Sequence, residues 1–147
     1  AMLIPSKKIF YAVEAVLFIA YNAKASPVAG SDVAAAQQLP TRYLEPMMQK
    51  LVRAGILRGV RGPQGGYVLG RERRRITLAD ICAVITEEAA LPESHTALGS
   101  HILHPAASSL MQHWREELAN VTIATLCERA TAADIPATAD TPTDFTI

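Results

Sequence analysis

Residues 57–69, LRGVRGPQGGYVL, constrain this chain more than any other stretch. Two β-prone pieces, residues 56–60 and 67–69, flank Arg61-Gly62-Pro63-Gln64-Gly65-Gly66. Pro63 presets φ for a turn and the glycines permit positive φ, so the spacing predicts a β-hairpin. Its loop carries Arg61 with almost no side-chain bulk around it. A guanidinium on a thin projecting ribbon suits insertion between phosphates or into a narrow minor groove. Most Gly/Pro turns are only turns. The segments on either side of this one point to a function.

Charge is split along the chain. The formal net charge of zero conceals twelve Lys/Arg against four acids in residues 1–75, a net of +8. Residues 76–147 hold two bases and ten acids, a net of −8. A basic half of this kind is the footprint of a polyanion-binding surface. The acidic half is expected to face solvent or a partner subunit. A hydrophobic share of 50% with 19% charged residues describes a globular chain, and 147 residues suffice for one domain with a real core. The apolar stretch 9–20 is interrupted by Glu14 and falls short of the roughly 18 residues a membrane span needs. It also lacks a cleavage-site context, so neither a span nor a signal peptide is expected. Cys82 and Cys127 form no metal-spaced pair and no disulfide framework, which points to the reducing cytoplasm.

Upstream of the hairpin, Ile9, Val13, Val16, Leu17 and Ala20 recur at three and four residues behind a capping Ser6, predicting a helix over residues 6–23. After a Pro-containing connection, Ser31 or Gly30 is expected to cap a short Ala-rich helix ending at Gln38. Leu39-Pro40-Thr41 breaks it, and a third helix runs to Ala54 with Gly55 as its stop. Two helices joined by so short a break, the second basic at its start, form a helix-turn-helix. Thr41, Arg42, Tyr43 and Glu45 offer mixed donors and acceptors suited to base edges in a major groove. Leu44, Met47, Met48 and Leu51 have core spacing, and Pro46 predicts a kink. A helix-turn-helix followed directly by a Gly-rich hairpin is a winged helix. The residues expected to meet DNA are Thr41, Arg42, Tyr43, Glu45, Lys50, Arg58, Arg61, Gly62, Gln64 and Gly65. Arg71, Arg73, Arg74 and Arg75 are expected on flanking phosphates.

Thr77 and Asp80 form a capping-box-like pattern at the start of a fourth helix, whose buried side is Leu78, Ile81, Cys82 and Ile85. Residues 87–102 have weak periodicity with Pro and Gly breaks and read as a loop, with Glu87-Glu88 a solvated helix end. From about Leu103, the positions Leu103, Ala107, Leu110, Met111, Trp114, Leu118 and Val121 put one broad apolar stripe on a long helix. That stripe is assigned to a second copy of the chain; an intramolecular core helix is the alternative. The organisation is thus a winged helix-turn-helix over 1–86, a loop over 87–102, a dimerisation helix and short terminal helix over 103–130, and a disordered tail over 131–147. The fold class is mainly α, with a two-stranded wing and a long C-terminal dimerisation helix.

KKIFYAVEAVLFIA in the first helix, LPTRYLEPMMQKLVRAGIL in the third, VRGPQGGYVL in the hairpin and ITLADIC after it closely resemble the Rrf2 family of bacterial winged-helix transcription regulators. The match is strong over about residues 5–86 and looser as far as Cys127. The resemblance implies a symmetric dimer on a palindromic operator, with the long helices crossing between subunits. It also implies that Arg42 and Glu45 read the major groove and that Arg61 enters the minor groove. Many members of the family hold an iron–sulfur cluster on three cysteines ahead of the long helix. Counting back from Trp114, those positions here hold Ser108, Ile102 and Thr96, which do not replace thiolates. No iron–sulfur cluster and no other cofactor is expected. The four histidines, His95, His101, His104 and His113, all fall in this region. His101 and His104, three apart and without an accompanying Asp or Cys, are the candidate pair for a metal or pH sensor.

The expected function is a cytoplasmic, homodimeric, sequence-specific DNA-binding transcriptional regulator, a repressor, with no membrane association. The alternative on the same fold is a module controlled by a protein partner or by a thiol switch, with Cys127 forming an intersubunit disulfide. An enzyme is not expected. The chain has no GxxxxGK[ST] phosphate loop, no nucleophile elbow and no paired carboxylates in an apolar setting.

Overall fold

The Ser6 hydroxyl accepts a hydrogen bond from the Ile9 amide (3.3 Å) and starts α1, Lys7–Asn22, in this computed structural model, which describes residues 6–24, 26–86 and 91–137. Ile9, Ala12, Ala15, Val16, Ile19 and Ala20 are buried. Their three- and four-residue spacing sends one stripe of α1 into the centre of the molecule. Around it pack α2 (Gly30–Gln37), α3 (Thr41–Arg53), α4 (Leu78–Ile85) and α6 (Ile123–Ala132). α5 (His104–Ala119) leans on α4.

Three helices end by one device. At α2 the left-handed residue is Gln38 (φ 54°), and the Leu39 amide donates to the Ala34 carbonyl. At α3 it is Gly55 (φ 79°), with Ile56 donating to Leu51, and at α6 it is Asp134 (φ 57°), with Ile135 donating to Ala130. Each is a Schellman closure; at the first two the next residue, Leu39 or Ile56, is turned inward against the core. α2 begins without a side-chain cap: Ala29, not Ser31 or Gly30, is its N-cap. α3 runs through Pro46 unbroken. The bond a proline must forgo is the one to the carbonyl of Arg42, an exposed residue near the helix start where water can supply the donor. Thr77 and Asp80 close a full capping box on α4, at 3.1 and 2.9 Å.

β1 (Leu57–Val60) and β2 (Gly66–Leu69) pair antiparallel, Leu57 opposite Leu69 and Val60 opposite Gly66. At the tip the Gly65 amide donates to the Gly62 carbonyl (2.9 Å), closing a turn over Pro63-Gln64, and Gly62 sits at φ 114°. One pairing was not legible in the sequence. Val28, in the α1–α2 connection, bridges Tyr67, its amide donating to the Tyr67 carbonyl (3.0 Å) and its carbonyl accepting from the Tyr67 amide (2.8 Å). This close approach requires Gly66, since a Cβ there would lie 2.4 Å from the Val28 oxygen and 2.5 Å from its carbonyl carbon. Gly66→Ala is therefore expected to destabilise the protein by about 1–3 kcal/mol. A thermal melt should show the midpoint falling by roughly 2–4 °C per kcal/mol in a chain of this size.

The C-terminal half departs from expectation in three places. Part of the expected loop is helical: Leu98–Leu103 forms a π-helical segment, the His104 amide donating to Gly99, and runs straight into α5. Residues 87–90, with the Glu87-Glu88 pair, lie outside the described residues. α6 belongs with the winged-helix core rather than with α5. The Ile123 amide donates to Ile76 (2.9 Å), the Leu78 amide to Val121 (3.0 Å), and Ile123 and Cys127 are buried in the same cluster as α1. The expected disordered tail is ordered as far as it is described: α6 extends to Ala132, Tyr21 donates its hydroxyl to the Ile135 carbonyl, and Ala137 is buried. The disorder expected of residues 138–147 concerns a stretch outside the described residues. No helix among the described residues is long and apolar enough to cross a membrane.

Candidate nucleic-acid interface

α3 divides cleanly into two faces. Leu44, Met47, Met48 and Leu51 are each 2% exposed or less, while Thr41, Arg42, Glu45 and Gln49 are exposed on the opposite side. Gln49 was not among the residues expected from the sequence. Its signal is the same helical period, four residues after Glu45 and seven after Arg42. Tyr43 is only partly available: it is 40% exposed, and its ring meets Tyr11 of α1 edge-on with centroids 6.2 Å apart. Beside it lies a groove lined by Lys8, Arg42, Tyr43, Pro46, Met47, Lys50 and Ile85. It adds Lys8, from the first turn of α1, to the cations of this front; nothing in the hairpin or helix-turn-helix pattern marked it.

The wing supplies the second set. Arg58, Arg61, Gly62 and Gln64 are exposed and Gly65 is half-buried. Among the described residues no carboxylate lies within 4.0 Å of the Arg42, Arg58 or Arg61 guanidinium. Their guanidinium donors are thus not taken up by a neighbouring carboxylate and are open to a polyanion. The root of the wing lies near α3: burial first, and then the Glu45 carboxylate, push the Tyr67 phenol above its ordinary pKa. The four arginines after the wing do not act alike. Arg74 pairs with Glu72 at 2.6 Å, and its guanidinium holds that exposed carboxyl below the usual carboxylate range. Arg73, expected on a flanking phosphate, instead turns one guanidinium nitrogen inward and donates to the Ala20 carbonyl at 3.0 Å.

The three positions at which the resemblance puts cluster ligands carry Thr96, Ile102 and Ser108. The Thr96 hydroxyl accepts from the Gly99 amide (2.9 Å) and caps the helical segment, while Ile102 and Ser108 point to solvent. No group of three or more His, Cys, Asp or Glu side chains suited to a metal occurs among the described residues. His101 is exposed in the π-helical segment, and His104 is half-buried as the first residue of α5. The cysteines lie elsewhere. Cys82 is half-buried on α4 and Cys127 is 2% exposed on α6, and burial pushes both thiols up. A thiol switch needs an exposed and acidified thiol, and Cys127 is neither.

α5 has little cover of its own. Ala107 is its one buried residue. Leu103 (66% exposed), Leu110 (62%) and Trp114 (40%) share a face at seven- and four-residue spacing, and Leu98 and Ile102 extend the apolar surface into the π-helical segment.

Residues 5–129 match the Rrf2 family, described as iron-dependent transcriptional regulators. The chain is 36% identical over 77 residues to the HTH-type transcriptional regulator IscR of Escherichia coli, an alignment covering 52% of this chain and 48% of that protein. The chain spans about half the length of the curated relatives it matches. Its fold matches T. potens IscR with a TM-score of 0.73 at 31% identity, over 90% of this chain and 92% of that one. It also matches CymR, the global cysteine regulator of B. subtilis, with a TM-score of 0.69 at 26% identity, over 87% and 98%.

Proposed function

Because the chain belongs to the Rrf2 family of transcriptional regulators, we propose that it binds duplex DNA sequence-specifically as a homodimer, and represses transcription in the cytoplasm without an iron–sulfur cluster. One observation carries this reading: the exposed face of α3 and the wing present Arg42, Arg58 and Arg61 with no carboxylate partner among the described residues. The start of α3, with Thr41, Arg42, Glu45 and Gln49, suits base edges in a major groove. The thin Gly-Pro tip of the wing suits insertion of Arg61 into the adjoining minor groove. The bare stripe of α5 supports a two-fold partner, and a two-fold dimer reads an inverted repeat with half-sites about one helical turn apart. A protein lying across both half-sites excludes other proteins from that DNA, hence repression.

Selection of bound duplexes from a random pool tests the proposal. Inverted repeats should be enriched, with affinity falling steeply as salt rises; a pool without enrichment at low salt refutes it. Absence of a cluster is supported by Thr96, Ile102 and Ser108 at the positions where the resemblance puts the ligands, and by the burial of Cys127 and the partial burial of Cys82. Anaerobic reconstitution with iron and sulfide should leave the protein colourless and its affinity for the selected duplex unchanged. Stoichiometric iron with visible charge-transfer absorbance would overturn that part.

A further inference from the structure

We infer that Arg73 is a positioning residue that sets the angle of the wing against the helix-turn-helix, by tying the chain just beyond β2 to the C-terminal end of α1. This rests on the DNA-binding reading above for its functional consequence, but not for its structural one. Four of the last carbonyls of a helix lack intrahelical donors. In α1 the Ile19 carbonyl receives the Ala23 amide, Asn22 receives Lys24, and Phe18 is shared with the Asn22 side chain. The Ala20 carbonyl receives Arg73 Nη2 at 3.0 Å, across 53 residues of sequence. α1 has no basic residue in its own last turn. The Arg73 cation therefore supplies from outside both a donor and the charge that the negative end of a helix dipole favours. Arg73 is half-buried, and its charge is felt at Cys127 of α6.

The position of this bond gives it its consequence. β2 and the chain leaving it grip the segment from α1 to α2 at both ends, through Tyr67 at Val28 and through Arg73 at Ala20. Between them, the Gly70 amide donates to Ile56 (2.8 Å), and a Cβ on Gly70 would lie 2.3 Å from the Gly55 oxygen, so this stretch is packed backbone to backbone. With one of the two grips gone, the hairpin can tilt about the other. Four residues of strand span about 13 Å, so a tilt of roughly 10° moves the tip about 2 Å. That is a large error against a minor groove about 6 Å wide.

Arg73→Met keeps the aliphatic stem and removes the donor and charge; Arg73→Lys keeps one charged donor. In the free protein, amide exchange over residues 57–69 should quicken in Arg73→Met, while the amides of Ile19 and Leu51 stay protected, and Arg73→Lys should restore part of the difference. On the selected duplex, Arg73→Met should bind about tenfold more weakly with the salt slope of the parent, whereas a lost phosphate contact lowers that slope by about one. Arg61→Ala combined with Arg73→Met should bind no more weakly than Arg61→Ala alone, because Arg73 acts through the wing. Unchanged exchange over residues 57–69, a reduced salt slope, or additive losses in the double variant would each overturn the inference. Arg61→Ala binding as tightly as the parent would instead refute the DNA reading of the wing and leave the exchange result to decide on Arg73.

Discussion

Replacing Leu110 and Trp114 together by glutamate is expected to leave the protein monomeric and to lower its affinity for an inverted-repeat duplex by about 10²–10⁴-fold, the gain ordinarily supplied by linking two binding modules. α5 spans 16 residues, about 24 Å, yet buries only Ala107 against its own chain. A helix this short is marginal in water unless an apolar face is covered. Leu110 and Trp114 are 62% and 40% exposed and flank Ala107 on the face that also carries Leu103. In a two-fold seam the same face meets itself, so two substitutions place four carboxylates in one apolar contact. Neither side chain is part of the buried cluster around α1, so the winged helix should stay folded. Sedimentation gives the mass and a gel shift gives the affinity. A double variant that still sediments as a dimer would show that α5 is not the seam.

Arg61→Ala is expected to cost about 1–3 kcal/mol of operator affinity, and to lower the slope of log affinity against log salt by about one. The turn beneath it is made by the Gly65 to Gly62 hydrogen bond and by Pro63, not by the arginine. Arg61 is exposed and has no carboxylate partner among the described residues, so its removal should leave the thermal midpoint where it was. The loss therefore reads as contact with DNA. A salt-titrated binding curve identical to that of the parent would remove the wing from the interface.

Much of this architecture could be read from residue order, and the reason differs from element to element. α1 and α3 declare themselves by apolar positions three and four apart, the hairpin by Pro63 among glycines, and α4 by the Thr77–Asp80 box; all are signals confined to one helix or one hairpin. The contacts that escaped are those joining distant segments. Val28 carries no mark of its bridge to Tyr67, and Arg73 looks in sequence like its neighbours Arg71, Arg74 and Arg75 until the fold brings Ala20 to it. The helical segment at Leu98–Leu103 was hidden because π-type bonding does not follow the 3.6-residue period. Chain order groups α6 with the dimerisation helix, although Ile123 and Cys127 fill the core beside α1. On the candidate interface, Arg42, Glu45 and Arg61 are exposed, Tyr43 packs partly against Tyr11, and the structure adds Gln49 and Lys8 as candidates.

We propose that two copies of this chain, joined along α5, hold one duplex between paired α3 helices and wings. Measuring the mass of the complex with the selected duplex by sedimentation in dilute salt tests it most directly. Two chains per duplex, dissociating as salt is raised, is the predicted result. A protein that sediments as a monomer and leaves the duplex free in the same buffer would contradict it.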